Sequence, residues 1–253
     1  MPVMPGAEPY HHAGGPVGAL LCHGFTSTPQ SMRPWAEHLA GHGLTVALPR
    51  LPGHGTRWQD CNLTNWADWY ATVDRDFATL QERCDQVFVM GLSMGAALAL
   101  RLAELHGPGV AGLVLVNPSV TTLDRRASAL PVLARVLPST TAIGSDIKRP
   151  GEVELAYRRT PVRALHSLWR AWAVIRADLP KVTQPLLLFH SVEDHVVEPV
   201  NSQIVLSRVA SRDVQEVLLH DSYHVATLDN DADRIFSGSV EFVRRLAGVR
   251  NEG

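Results

Sequence analysis

The chain has 253 residues, 45% of them hydrophobic, and a formal charge of −2. That length suits one α/β domain with a large core and an insertion, and is short for two ordinary domains; so balanced a charge, with no basic run interleaved with aromatics, offers no field for gathering nucleic acid or an anionic membrane. Residues 1–15 lack a charged stretch followed by an apolar one, and no apolar run approaches the roughly 18 residues of a membrane span, so the reading is a cytoplasmic protein.

The predicted elements alternate along the chain. A strand at 18–22 leads to a helix at 29–40, a strand at 44–48 to a helix at 65–83, and a strand at 86–90 to a helix at 94–106, with a further strand at 111–116. After an interruption, a strand at 185–190 leads to a helix at 199–210 and a strand at 214–219 to a helix at 232–247. Strands this continuously apolar, separated by helices, predict a mostly parallel sheet covered on both faces. The interruption, residues 118–182, reads as helix or loop with no strand, and is taken as an insertion into a single domain spanning 1–253. Its apolar side chains, among them Leu130, Val132, Leu133, Leu168, Trp169 and Trp172, fit either a helical layer packed on the core or a lid over a lipid-like substrate. Cys22, Cys61 and Cys84 are odd in number and lack metal-ligand spacing, so they read as buried free thiols, and neither metal nor cofactor is expected.

Between the strand at 86–90 and the helix at 94–106 stands Gly91-Leu92-Ser93-Met94-Gly95. Roughly 0.1 such pentapeptides are expected by chance in a chain of this composition, so the letters alone are weak. Their place at a strand-to-helix junction makes them a nucleophile elbow, in which flanking glycines let a strained turn close and expose Ser93. A serine nucleophile needs a base and the base an orienting carboxylate, in the chain order serine, acid, histidine. Asp194, after the strand at 185–190, is the candidate acid, with Glu193 as its nearest rival. His224, a few residues beyond the last strand, is the candidate base, while His220 at the strand end reads as a hydrogen-bonded structural residue and Asp221 as a turn residue bonded to its own loop backbone. His195 reads as a loop residue and His190 as a satisfied core or edge histidine; His11, His12, His38, His42, His106 and His166 read as loop or helix-surface residues. One oxyanion donor is the backbone N–H of Met94 at the helix start, and the second is that of Phe25 in the loop His23-Gly24-Phe25-Thr26. His54, between Gly53 and Gly55, reads as a tether for nearby backbone.

Taken with Arg50-Leu51, Gly53-His54-Gly55-Thr56, Ile143-Gly144-Ser145-Asp146-Ile147, Glu154-Leu155-Ala156-Tyr157 and Ser222-Tyr223-His224-Val225-Ala226, these motifs resemble the bacterial monoacylglycerol lipases and their carboxylesterase relatives over nearly the whole chain. The resemblance implies an α/β-hydrolase fold with a small cap, Ser93, Asp194 and His224 as the triad, and Phe25 and Met94 as the oxyanion pair. It further implies Ile143 on an acyl tunnel and Glu154 at the glycerol hydroxyls, although an ordinary solvated helix residue is the plainer reading of Glu154. One departure is Ala96, where many relatives carry a further glycine; a single methyl there is expected to cost no activity. The expected reaction is hydrolysis of a single-chain lipid ester, first a monoacylglycerol, to alcohol and fatty acid through an acyl-Ser93 intermediate. A general short-chain carboxylesterase and a hydrolase-fold receptor without turnover are the alternatives. The expected partner is the lipid ester itself, with transient contact to lipid aggregates; the sequence sets no oligomeric state.

Overall fold

A computed structural model describes residues 2–142 and 145–248. Nine strands, β1 (Tyr10–His12), β2 (Val17–Cys22), β3 (Thr45–Leu48), β4 (Gln86–Leu92), β5 (Gly112–Val116), β6 (Ser139–Thr141), β7 (Arg159–Pro161), β8 (Leu186–Ser191) and β9 (Val214–Leu219), are found among these residues. The helices are α1 (Arg33–Gly41), α2 (Trp58–Cys61), α3 (Trp66–Gln81), α4 (Met94–His106), α5 (Leu130–Val136), α6 (Val162–Asp178), α7 (Val200–Arg208) and α8 (Ala232–Ala247), with short 3-10 turns between them. Seven strands form one sheet in the order β1-β3-β2-β4-β5-β8-β9. Every pairing in it is parallel except that of β1 with β3.

Burial follows position in the sheet. β4, β5 and β8 are almost wholly buried, because helices cover both faces, whereas edge strand β9 is exposed along most of its length. One core cluster joins α3, α4 and α6 to the sheet through Trp69, Phe77, Leu98 and Ile175; the other, on the opposite face, joins α1 and α8 through Trp35, Leu39, Ile235 and Phe236. Helix ends obey local chemistry. Asn65 caps α3 through Ala67 N–H at 2.9 Å, and Asp68 returns a bond to the Asn65 N–H at 2.9 Å, which starts the helix one residue after its predicted first position.

Three departures from the sequence reading are structural. His11 and His12 lie in β1, a three-residue antiparallel edge too short for periodicity to reveal. The inserted segment contains strand pairing, with Ser139 opposite Pro161 and Thr141 opposite Arg159. Each of those strands is three residues long, and nothing local announces a partner about twenty residues away. Third, residues 118–182 do not pack as one layer: Ala164, Leu168, Trp172 and Ile175 of α6 join the main core, while Leu130, Ala134 and Val162 form a small cluster of their own.

The register aligns the strand ends. Cys22 pairs with Gly91, Leu92 with Val116, Val116 with Phe189, and Ser191 with Leu219, so the loops after β2, β4, β5, β8 and β9 leave from one edge of the sheet. In open parallel sheets that carboxyl edge is where ligands bind.

Candidate active site

Ser93 sits in the turn between β4 and α4 with φ 58° and ψ −117°. A non-glycine residue held there costs about 1–3 kcal/mol. The surroundings impose it: Ser93 N–H donates to Val116 O at 3.0 Å, and its carbonyl accepts from Ala96, Ala97 and Ser119 N–H at 3.1, 3.3 and 3.3 Å. The glycines are required by contact. A Cβ on Gly91 would overlap the backbone of Gly95, and one on Gly95 would overlap the carbonyl of Cys22. Ala96 is buried with no exposure, and its methyl is accommodated in the main core.

Beside the elbow runs the loop after β2, close enough that a Cβ on Gly24 would meet Ser93 Cβ at 3.7 Å. His23 shapes this loop from a fully buried position. Its Nε2 accepts Leu51 N–H at 3.2 Å, which leaves Nδ1 to donate to Gly24 O at 2.9 Å. Burial, with His54 nearby, pushes its pKa down to about 3, so the ring stays neutral. Among the described residues neither Phe25 N–H nor Met94 N–H has a protein acceptor, and both N–H groups belong to segments flanking Ser93. His54 bonds Pro52 O at 3.1 Å and is held neutral by burial, with a pKa lowered to about 4, in keeping with a tether.

Asp194 and His224 come together from the loops after β8 and β9. Asp194 Oδ1 accepts Val196 and Val197 N–H, each at 2.8 Å, while Oδ2 meets His224 Nδ1 at 2.8 Å. Both side chains are nearly or wholly enclosed, at 0% and 9% exposure. Burial raises the Asp194 carboxyl, but the His224 charge, its hydrogen bond and the two backbone N–H donors outweigh that and hold it below the ordinary value. For His224 burial works downward, and Asp194, Glu154 and Asp146 together raise it above the ordinary value. With Nδ1 committed to Asp194, Nε2 is the nitrogen left for chemistry. Among the described residues Ser93 Oγ carries no hydrogen bond; the arrangement brings acid and base into contact and leaves the serine hydroxyl uncommitted.

A residue that sequence reasoning missed ties these pieces together. Asn117, buried and at φ 44°, directly follows Val116, whose carbonyl holds Ser93. Its Nδ2 donates to His224 O at 2.8 Å and Ser191 Oγ at 3.0 Å, and its Oδ1 accepts Ser191 N–H at 2.8 Å. The left-handed φ at a residue after a strand is invisible in a single sequence, although asparagine tolerates it better than most residues.

The rivals fall away by position. Glu193 is half exposed and pairs with Lys148 at 3.4 Å. Asp221, exposed, has its carboxylate on Lys148 at 3.3 Å and not on its own loop backbone as expected. His220 is exposed and, among the described residues, has no side-chain hydrogen bond, so it is a surface residue and not the bonded structural one expected at a strand end. His190 bonds Ser202 Oγ at 3.1 Å through Nδ1, but its buried Nε2 has no partner, so it is only half satisfied. His195 sits in its loop with Nδ1 on Asp146 Oδ1 at 2.9 Å.

Glu154 lies in an extended loop of the insertion, not in a helix, with its N–H on Ser145 Oγ at 2.9 Å. The residue is part-buried. Burial raises its pKa above the ordinary value, offset in part by the Ser27 hydroxyl and the charge of His224. Ile143 lies outside the described residues. All three cysteines are free and buried, and among the described residues no group of three or more His, Cys, Asp or Glu could hold a metal ion.

Residues 18–231 match the Hydrolase_4 family model, described as serine aminopeptidase, S33. A thermostable monoacylglycerol lipase of Bacillus sp. (strain H-257) is 45% identical over 98% of this chain and 98% of its own. A carboxylesterase of Bacillus subtilis (strain 168) is 24% identical over 94% of this chain and 97% of its own. Among solved structures, one from a study of the metagenome-derived lipolytic enzymes LipS and LipT superposes with a TM-score of 0.94 at 41% identity, covering 96% of this chain and 100% of the other.

Proposed function

This chain belongs to the Hydrolase_4 family and has the α/β-hydrolase fold, and from that premise we propose that it is a serine hydrolase of lipid esters whose preferred substrate is a monoacylglycerol. The observation that carries the reading is the enclosed Asp194–His224 pair at 2.8 Å on the same sheet edge as the strained Ser93 turn. The preference for monoacylglycerol rests on the 45% identical relative and on Glu154, a part-buried carboxyl of the insertion whose charge is coupled to His224.

In this reading Ser93 Oγ attacks the ester carbonyl as His224 Nε2 takes its proton, and the N–H groups of Phe25 and Met94 receive the developing oxyanion. His224 then protonates the departing glycerol oxygen, leaving an acyl-Ser93 ester. Water, deprotonated by the same imidazole, releases the fatty acid. Asp194 holds the tautomer and stabilises the imidazolium. Glu154 accepts hydrogen bonds from the glycerol hydroxyls, Ile143 belongs to the acyl side, and residues 118–182 act as a cap within one domain spanning 1–253. The cap is also the face offered to lipid aggregates, through exposed Val132, Val136 and Leu137. No described helix is long and apolar enough to cross a membrane. The cytoplasmic location is proposed from the sequence reading alone.

The test is a kinetic panel of monoacylglycerols of graded chain length beside diacyl, triacyl and simple alkyl esters of the same acyl group. The expected outcome is the highest kcat/KM on monoacylglycerols. Equal values on alkyl esters would replace this reading with that of a general carboxylesterase.

A further inference from the structure

Residues 145–149 leave the insertion and run along the loop that carries His224. Asp146, with its side chain 12% exposed, stands at the contact. Its Oδ2 accepts His224 N–H at 3.0 Å and, more weakly, His195 N–H at 3.3 Å; its Oδ1 meets His195 Nδ1 at 2.9 Å, and its carbonyl accepts Val225 N–H at 3.0 Å. A second carboxylate closes the other side. Asp229, wholly buried, accepts Lys148 and Arg149 N–H at 2.7 and 2.9 Å and Tyr223 N–H at 2.8 Å. The insertion is thus tied to the residues on both sides of His224 as well as to His224 itself.

The placement of a side chain follows from where its own peptide groups are held. For His224 the C=O is fixed by Asn117 Nδ2 and the N–H by Asp146 Oδ2, one anchor from the sheet and one from the insertion. Through His195 the same carboxylate also grips the residue next to Asp194. A charge-assisted acceptor is a strong anchor, and an error of about 1 Å in a reacting group costs on the order of 100-fold in rate.

We propose that Asp146 is a positioning residue for this active site: supplied by the insertion, its carboxylate fixes the peptide of His224 and the loop of Asp194, so that the base is in register only while the insertion is docked. The inference rests on His224 being the base. It makes the insertion a structural part of the proton-transfer apparatus as well as a cover over the substrate.

Two substitutions separate anchoring from charge. Asp146→Ala removes both, and kcat is expected to fall about 10- to 100-fold with KM within roughly threefold, since substrate contacts are untouched. Asp146→Asn keeps a carbonyl oxygen for His224 N–H but not the charge, so kcat on the pH plateau should stay within about fivefold of wild type. The acid limb of its kcat/KM profile should move to lower pH, because one of the negative charges favouring protonated His224 is gone. Asp194, Glu154 and His190 still face His224 in this variant, and Asp194 and Glu193 still face His195, so the shift reports Asp146 alone.

If Asp146→Ala does not fold, the pH profile of the Asn variant carries the test. An unmoved limb there overturns the proposal. So does a folded Asp146→Ala enzyme with wild-type kcat, or one that changes only KM. His224→Ala guards the premise: if it retains turnover, the assignment of the base fails; if it is inactive while both Asp146 variants behave as wild type, only the positioning role fails.

Discussion

The two regions that meet at this site are built on opposite rules. On the sheet side, Ser93, Asp194 and His224 are placed by buried strands, by glycines that cannot accept a Cβ, and by enclosed hydrogen bonds. On the insertion side, residues 118–182 carry six of the twelve exposed large hydrophobic residues found among the described residues, namely Leu123, Val132, Val136, Leu137, Val153 and Val174. Charge divides in the same way. Residues 118–182 contain eleven Lys and Arg against five Asp and Glu, whereas the remainder contains twelve against twenty. The whole-chain value of −2 is therefore a cancellation of a basic insertion against an acidic body, and the inference from it that no field exists for anionic lipid is too coarse. The acidic body carries Ser93, Asp194 and His224, and the basic segment carries half of the exposed large hydrophobic side chains.

The largest effect should come from the sheet side. Ser93→Ala should remove turnover, with a loss of about 10⁴-fold or more, while thermal unfolding stays near wild type, since the turn loses only a hydroxyl. A fluorophosphonate should label wild type at Ser93 alone; a label mapped to another serine would sink the assignment.

Next in size is the acid. Asp194→Asn should lower kcat by roughly 10⁴ by allowing the wrong imidazole tautomer. Asp221→Asn, which loses only the exposed Lys148 pair at 3.3 Å, should stay within a few-fold. The reverse order would move the centre of the site away from the β8 loop.

Glu154 probes the insertion side directly. Glu154→Gln should lower kcat/KM for a monoacylglycerol by on the order of 10- to 100-fold, the value of hydrogen bonds to a charged acceptor, and barely alter a nitrophenyl ester of the same chain. Equal losses on both esters would mean that Glu154 supports the fold and does not read the alcohol.

The pH profile tests how the two sides combine. Burial lowers His224, but Asp194 from the body and Glu154 and Asp146 from the insertion reverse that, so its pKa lies above the ordinary histidine value. Because the neutral ring is the base, activity should be lost as pH falls through that raised value, sooner than an isolated histidine would lose it. A limb at or below the ordinary value, measured on a soluble ester, would contradict the enclosed charge cluster.

The smallest effect concerns the outer face. Val132→Ser with Val136→Ser, one turn apart on α5 and both exposed, should raise KM a few-fold on substrate dispersed in anionic vesicles and leave a soluble ester unaffected. An equal change on both substrates would mean that the face packs within the protein.

The alternation of apolar strands and helices was legible because each element repeats a simple pattern over five or more residues, and the elbow was legible because its glycines are dictated by contacts within the turn itself. Chain order then sufficed to nominate Asp194 and His224, and the 2.8 Å contact between their side chains is what the structure adds. The short strands β1, β6 and β7 were not legible, since three residues carry no period and their partners are remote. The same holds for Asn117 and Asp146. Asn117 stands in no motif, and the motif that contains Asp146 does not tell its contact, because each meets the peptide of His224 from 107 and 78 positions away. Local chemistry, in which a residue and its neighbours share one turn or one helix face, is set by the sequence alone. Which remote side chain meets a buried backbone N–H or C=O is decided only when the chain has closed around it, since a buried polar group must be paired and only the packed structure determines with what.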